Sequence, residues 1–242
     1  MLSNRLLRLS LLTVLAASTC LLFAQDMPGM PGMEHHHHDD APTDLEKLGQ
    51  VHFPVSCAAK TEAPFERGIA LLHSFGYVEA ERQFRDIAAS DPTCAMAHWG
   101  VAMSQYHELW GRPDPAAIKT GAEEMSKAEA LAGSTKITPR EKAYIDALNG
   151  FFAEASKDFQ TAADQYAAAM NALHKTYPTD IEGAAFYALS VIASEAPDDT
   201  SLNKERTALA VLVPLFQQTR IIPGSRITSS TPATHRLWQR RD

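Results

Sequence analysis

The sequence predicts an all-α protein made of antiparallel helix pairs, and three observations lead to this prediction. Alanine is frequent between Phe65 and Leu212, whereas glycine and proline cluster at a few breaks, a composition that favours helices. Apolar residues recur at helical spacing in successive stretches. No stretch alternates apolar and polar residues with a period of two, so no strand is predicted.

Helix start and stop signals divide residues 61–218 into eight predicted helices. In chain order, the first carries Phe65, Ile69, Leu71 and Leu72, and the others begin at Tyr77, near Cys94, at Asp114-Pro115, at Thr138, near Asp158, at Thr179 and at Leu202. Proline follows Asp114 and Thr138, at the first helical position that it prefers. Thr138 with Glu141, and Thr179 with Glu182, have the spacing of a capping box, in which two side chains satisfy free backbone groups at a helix start.

One segment of the helical region resembles a known repeat. Residues 68–92 are similar to the tetratricopeptide repeat (TPR), whose pattern is matched here by Gly68, Tyr77, Glu79-Ala80, Phe84 and Pro92. Later units match less closely. The resemblance implies TPR-like helix pairs stacked as an α-solenoid, because one pair cannot bury both of its apolar faces alone. It also implies that Gly68 and Ala80 lie where two helices approach closely.

A group of exported bacterial TPR proteins resembles the chain around Val51-His52-Phe53-Pro54 and from Cys94 to Gly100. In that group a segment close to Pro-Asp-His-Pro-Gly-Val-Ala-His-Tyr-Leu-Ile-His-Ser follows the eighth helix, and this sequence lacks it. Codons permitted for residues 219–230 encode most of that segment when they are read two nucleotides later. We therefore hypothesise a frameshift near Thr219 that truncates the chain and leaves residues 219–242 as an atypical, disordered tail. The gene sequence tests this hypothesis.

Residues 1–24 are predicted to be a signal peptide, because Arg5 and Arg8 precede an apolar run over residues 9–23. One alternative is a retained membrane anchor, for which the run is short. Another is lipid attachment at Cys20, whose preceding residues fit a lipoprotein signal poorly. We expect a periplasmic or secreted protein with no stable membrane span after the signal is removed.

Two cysteines, Cys57 and Cys94, remain once the signal peptide is removed. In an oxidising compartment such a pair favours a disulfide, since an exported free thiol is exposed to oxidation. The alternative is two separate buried thiols.

Residues 25–60 are predicted to be a flexible segment, rich in methionine and histidine. Thioethers suit Cu(I), and imidazoles suit Cu(II), zinc and nickel. The candidate ligands of copper or another transition metal are Met27, Met30, Met33, His35, His36, His37 and His38. The alternative is a polar linker that binds metals only adventitiously.

A concave groove that holds a protein or peptide partner is the main functional prediction. Residues on the first helix of each pair would line this groove, among them Arg67, His73, His98 and Gln105. His73, His98 and His107 lie beside aromatic residues, so packing histidines with hydrogen-bonded rings are favoured over a metal or ligand cluster.

Charge and motifs argue against two other classes of function. The net charge of -7 gives no basic stripe for the phosphates of nucleic acid. The sequence contains no nucleophile elbow, phosphate loop or paired CxxC motif, so an enzyme is not predicted.

Overall fold

The computed structural model describes residues 48–109 and 111–220, and it confirms the all-α prediction over this part of the chain. The described residues form eight α-helices and a short 3-10 turn at Ala59–Thr61, and they contain no strand. The helices are α1 (Glu62–His73), α2 (Tyr77–Ser90), α3 (Ala95–Gln105), α4 (Pro115–Ser134), α5 (Pro139–Ala155), α6 (Phe159–Thr176), α7 (Ile181–Ala193) and α8 (Asn203–Arg220). The predicted signal peptide, the Met/His cluster and residues 221–242 lie outside the described residues.

Side-chain caps fix where four successive helices begin. Asp114, Thr138, Asp158 and Asp180 each accept a hydrogen bond from a backbone N–H in the first turn of α4, α5, α6 and α7. Such a bond satisfies one of the backbone donors that have no partner inside the helix. The capping box of Thr138 and Glu141 is present as predicted.

The second predicted capping box is wrong. Asp180, rather than Thr179, is the N-cap of α7, and its Oδ1 accepts a hydrogen bond from the Gly183 N–H at 3.1 Å. Glu182 instead reaches across to His73 on α1, with 2.5 Å between Oε2 and Nε2. An aspartate at the next position offers an equally good cap and leaves the glutamate free for a tertiary contact.

Each helix packs against the next helix in the chain, and α3 also contacts both α1 and α5. The close approaches depend on glycines that face large side chains. A Cβ atom on Gly68 would lie 2.6 Å from the Phe84 ring, and one on Gly100 would lie 2.4 Å from the same ring. Phe84 of α2 therefore lies directly against the backbones of α1 and α3, in agreement with the close approach expected at Gly68.

Residues 48–58, which we call the inner segment, pack against the helices although they were assigned to the flexible segment. This segment has no helix or strand, yet Phe53 is fully buried in the core, and Val51 and Val55 pack against that core. The apolar side chains of this segment follow no helical period, so helix-based pattern analysis does not detect their burial.

The last helix extends two residues into the predicted tail. α8 ends at Arg220, whereas the atypical tail was expected to begin at Thr219. No helix in the described part of the chain is both long enough and apolar enough to span a bilayer.

Candidate functional site

Four alternate helices each contribute one aromatic side chain to a common cluster, which we call the inner face. These side chains are Phe65 of α1, Trp99 of α3, Tyr144 of α5 and Phe186 of α7, and all four are buried. Phe53 of the inner segment lies among the first three, with ring-centroid distances of 5.4 Å to Phe65, 5.8 Å to Trp99 and 5.0 Å to Tyr144. Aromatic pairs at such distances contribute stabilisation beyond the area they bury.

Side chains of the helices also hold the backbone of the inner segment. Three acceptors and one donor contact consecutive parts of it, and they come from α1, from the end of α2 and from α5. The bonds are Phe53 N to Glu66 Oε1 at 3.2 Å, Ser56 N to Glu141 Oε1 at 2.6 Å, Ala58 N to Asp91 Oδ2 at 2.8 Å, and Arg140 Nη1 to Pro54 O at 3.2 Å. A chain that forms no secondary structure thus has four of its backbone groups satisfied by side chains.

Glu141 has a double role at this site. Its buried carboxylate accepts bonds from the N–H and hydroxyl of Thr138, which complete the helix cap. The same carboxylate accepts the N–H and hydroxyl of Ser56, both at 2.6 Å. Four donors compensate for removing this carboxylate from water, so the helix cap and the binding of the segment depend on one another.

Arg140 connects the inner segment to α7. Its Nε and Nη2 donate to the two oxygens of Asp180 at 2.6 and 3.0 Å, and its guanidinium lies 4.2 Å from the centre of the Phe53 ring. Burial opposes the charge, but the hydrogen bonds to Asp180 raise the pKa of Arg140 above its usual value. Burial raises the pKa of Tyr144, whose neutral hydroxyl donates to Asp180 Oδ2 at 2.9 Å.

The predicted disulfide between Cys57 and Cys94 is confirmed, with the two Cα atoms 4.9 Å apart. It fixes the end of the inner segment to the N-cap of α3. Asp91 lies beside it, and hydrogen bonds from the Ala58 backbone and from Thr93 lower the pKa of this carboxyl. Among the described residues, one group of possible ligands lies close enough together for a metal ion, and it consists of Cys57, Asp91 and Cys94. The sulfur atoms of the two cysteines are bonded to each other.

Two of the predicted partner-binding residues contact other helices of the same chain. His73 is paired with Glu182, and its ring lies 4.8 Å from that of Phe186. His98 Nδ1 lies 2.6 Å from Glu124 Oε2 on α4. Both histidines are half-buried, and their rings are hydrogen-bonded within the chain. These are the contacts expected of histidines that serve packing.

The other two predicted residues lie apart from each other. Gln105 is the half-buried last residue of α3. Arg67 lines an open groove of about 530 Å³ between α1 and the beginning of the inner segment. The residues that line this groove are Leu48, Gly49, Gln50, Val51, His52, Glu66, Arg67 and Ala70.

The residues that bind the inner segment were not predicted from the sequence. Phe53 stood in the stretch that resembles exported TPR proteins, and Glu141 was recognised only as a helix cap. Glu66, Asp91 and Arg140 gave no signal, because their partners are backbone atoms that are distant along the chain. The seven predicted metal ligands, from Met27 to His38, lie outside the described residues.

Comparison with known proteins adds no further assignment, since no protein-family model, curated protein or solved structure matches the chain.

Proposed function

We propose that this chain is an exported, TPR-like scaffold that binds an extended segment of a partner protein on the concave side of its stacked helix pairs. The observation that carries this proposal is the way the chain holds its own inner segment. Phe53 is anchored among three aromatic rings, and Glu66, Glu141 and Arg140 bind the backbone on either side of it.

This arrangement has the chemistry of a peptide-binding surface. Main-chain hydrogen bonds give affinity for an extended chain of any sequence, and a buried aromatic anchor gives selectivity. In this protein the helices supply the main-chain hydrogen bonds and the aromatic anchor site to residues of the same chain. Their inner face is therefore suited to a non-helical segment. The order of packing, in which α3 contacts α1 and α5 as well as its sequence neighbours, supports the stacked helix pairs of the TPR resemblance.

The disulfide supports export of the protein. Disulfides persist in oxidising compartments such as the periplasm and the extracellular space, and they are rare in the cytosol. The bond between Cys57 and Cys94 is therefore consistent with a signal peptide over residues 1–24 and with a periplasmic or secreted location.

The part of the concave side that can accept a partner is the open groove at Arg67. Phe53 fills the inner face, so a partner would bind beside the inner segment. Gly49 lines this groove, and a Cβ atom built on it meets nothing within 4 Å. Gly133 on α4 has equally open surroundings and does not line the groove, which makes it a matched control.

Selection of peptides from a random phage-displayed pool on the immobilised protein tests this proposal. We expect enrichment of a related set of peptides, binding that Gly49→Trp abolishes by filling the groove, and unchanged binding to Gly133→Trp. No enrichment, or equal effects of the two substitutions, would refute binding through this groove.

A second candidate function is capture of a transition metal by the Met/His cluster, and the sequence alone favours it. Three methionines at intervals of three precede four consecutive histidines between Met27 and His38, which combines soft and imidazole ligands. Titration of a peptide of residues 25–42 with Cu(I), Cu(II) and zinc tests it. Affinities no better than micromolar would leave only the linker interpretation.

A further inference from the structure

The groove at Arg67 has two different walls. One wall is the backbone of the inner segment from Leu48 to His52, and the other is the side of α1 that carries Glu66, Arg67 and Ala70. Its volume of about 530 Å³ is large enough for several residues of a peptide. The groove is partly open to solvent, so a peptide can reach it from outside.

Arg67 brings a positive charge to one wall of this groove. Its Nη1 donates to the neutral amide oxygen of Gln83 at 2.5 Å, and it forms no ion pair with any carboxylate of the described residues. The neighbouring Glu66 also lines the groove, and its Oε1 accepts hydrogen bonds from Phe53 N and His52 Nδ1 on the opposite wall, which hold this carboxylate against the inner segment. A half-buried guanidinium with remaining donors is suited to a carboxylate ligand.

The opposite wall offers backbone groups. Gln50, Val51 and His52 form no backbone hydrogen bonds with other described residues, and Gln50 and His52 are exposed. Unpaired N–H and C=O groups along a non-helical segment are a template for a second extended chain. The groove therefore combines backbone groups on one side with the Arg67 guanidinium on the other, where the neighbouring Glu66 is already bonded to the inner segment.

We propose that this groove binds an extended peptide segment that carries an acidic side chain, with its carboxylate paired to Arg67 and its main chain beside residues 49–52. This inference rests on the proposed function and adds the chemistry of the partner. The charge of Arg67 selects the acidic residue, and the backbone of the inner segment aligns the chain around it.

The test repeats the phage selection with random peptides of about eight residues on the wild-type protein, on Arg67→Gln and on Arg82→Gln. Arg82 is the matched control, since it is an exposed arginine of α2 that does not line the groove. Glutamine keeps much of the length and polarity of the side chain but removes its charge. The strongest selected peptide is then synthesised with aspartate or asparagine at the enriched acidic position, and its affinity is measured by fluorescence anisotropy.

We expect aspartate or glutamate at one position of the peptides selected on the wild type and on Arg82→Gln, and no acidic preference on Arg67→Gln. The aspartate peptide should bind the wild type about 10-fold more tightly than the asparagine peptide, and Arg67→Gln should remove this difference. Peptides that bind in the groove without an acidic preference, or with a preference that Arg67→Gln retains, would overturn the inference alone. A failure of any peptide to be enriched would overturn the proposed function as well.

Discussion

Glu108, in the loop after α3, has a buried carboxyl oxygen, Oε1, with no hydrogen-bond partner among the described residues. Burial raises the pKa of this carboxyl to about 8. The hydroxyl of the nearby Tyr106 is also buried without a partner in the described part of the chain. An unpaired carboxylate is costly in such surroundings, so the neutral acid is the stable folded form at neutral pH.

Glu108 should make the protein less stable as the pH rises. Its pKa is near 4.5 when unfolded and about 8 when folded, so between these values the folded state binds a proton that the unfolded state lacks. Stability from this residue is therefore lost as pH increases through this range, by roughly 5 kcal/mol at most. Urea unfolding at about pH 5 and pH 9 should show a larger loss for the wild type than for Glu108→Gln. Equal pH dependence of the two proteins would contradict the buried, neutral carboxyl.

Gly68 tests the close approach of α1 and α2. Alanine favours helix by about 1 kcal/mol over glycine, but its Cβ would lie 2.6 Å from the buried ring of Phe84. We expect Gly68→Ala to lower the free energy of unfolding by about 1–3 kcal/mol, because a ring held on all sides cannot move away cheaply. In the control Gly133→Ala, where the space is open, stability should stay equal or rise. Circular dichroism during urea unfolding measures both.

The sequence predicted some contacts of single residues and not others. The close contact of Gly68 with Phe84 was predictable because both residues belong to the stretch of 25 residues that resembles a TPR. The partners of His73 and His98 were not, since each lies on a helix that the sequence places far away. The capping box at Thr179 was mistaken because Asp180 satisfies the same local rule one position later.

At the scale of elements, the inner segment is the least regular part of the described chain and one of the most tightly held. It is fixed at one end by the disulfide, in the middle by Phe53 and on its backbone by side chains of three helical elements. Local signals such as caps and glycine or proline breaks mark most helix boundaries, and most of these were predicted within a few residues. The packing of the inner segment depends on contacts with residues up to 86 positions away, as between Pro54 and Arg140, and no local pattern encodes them.

Phe53 is expected to be the main anchor of the inner segment. Phe53→Ala removes a fully buried ring that contacts three other aromatic rings, so it should lower the free energy of unfolding by about 3–5 kcal/mol. Val78→Ala is the control, because the Val78 side chain is exposed, and its effect should be within about 0.5 kcal/mol. A loss at Phe53 no larger than at Val78 would mean that the segment does not belong to the core.

The disulfide should stabilise the protein by limiting the freedom of the unfolded chain. Its cysteines are 37 residues apart, for which loop closure predicts about 4 kcal/mol, and measured gains are often smaller. The double variant Cys57→Ser, Cys94→Ser should therefore unfold with about 2–4 kcal/mol less free energy than the oxidised wild type. Dithiothreitol should destabilise the wild type and leave the double variant unchanged. Insensitivity of the wild type to dithiothreitol would contradict a stabilising bond.

For the whole molecule, the all-α class and the order of helices followed from the sequence, because periodicity, caps and glycine or proline breaks are local signals. The sequence did not predict that Phe53 occupies the inner face. Arg67, His73, His98 and Gln105 were expected to line a concave groove for a partner. In the structure Phe53 of the same chain lies in the aromatic cluster of the inner face, and the two histidines pair with Glu182 and Glu124. Of these four residues, Arg67 alone lines the open groove.

Hydrogen–deuterium exchange of the full protein with and without a selected peptide locates the partner site. We expect slower exchange on binding in residues 48–53 and in α1, which form the two walls of the groove, and little change in α4 and α8. Protection confined to α4, α6 or α8, with unchanged exchange beside Arg67, would contradict a partner site on the concave side of the helix pairs.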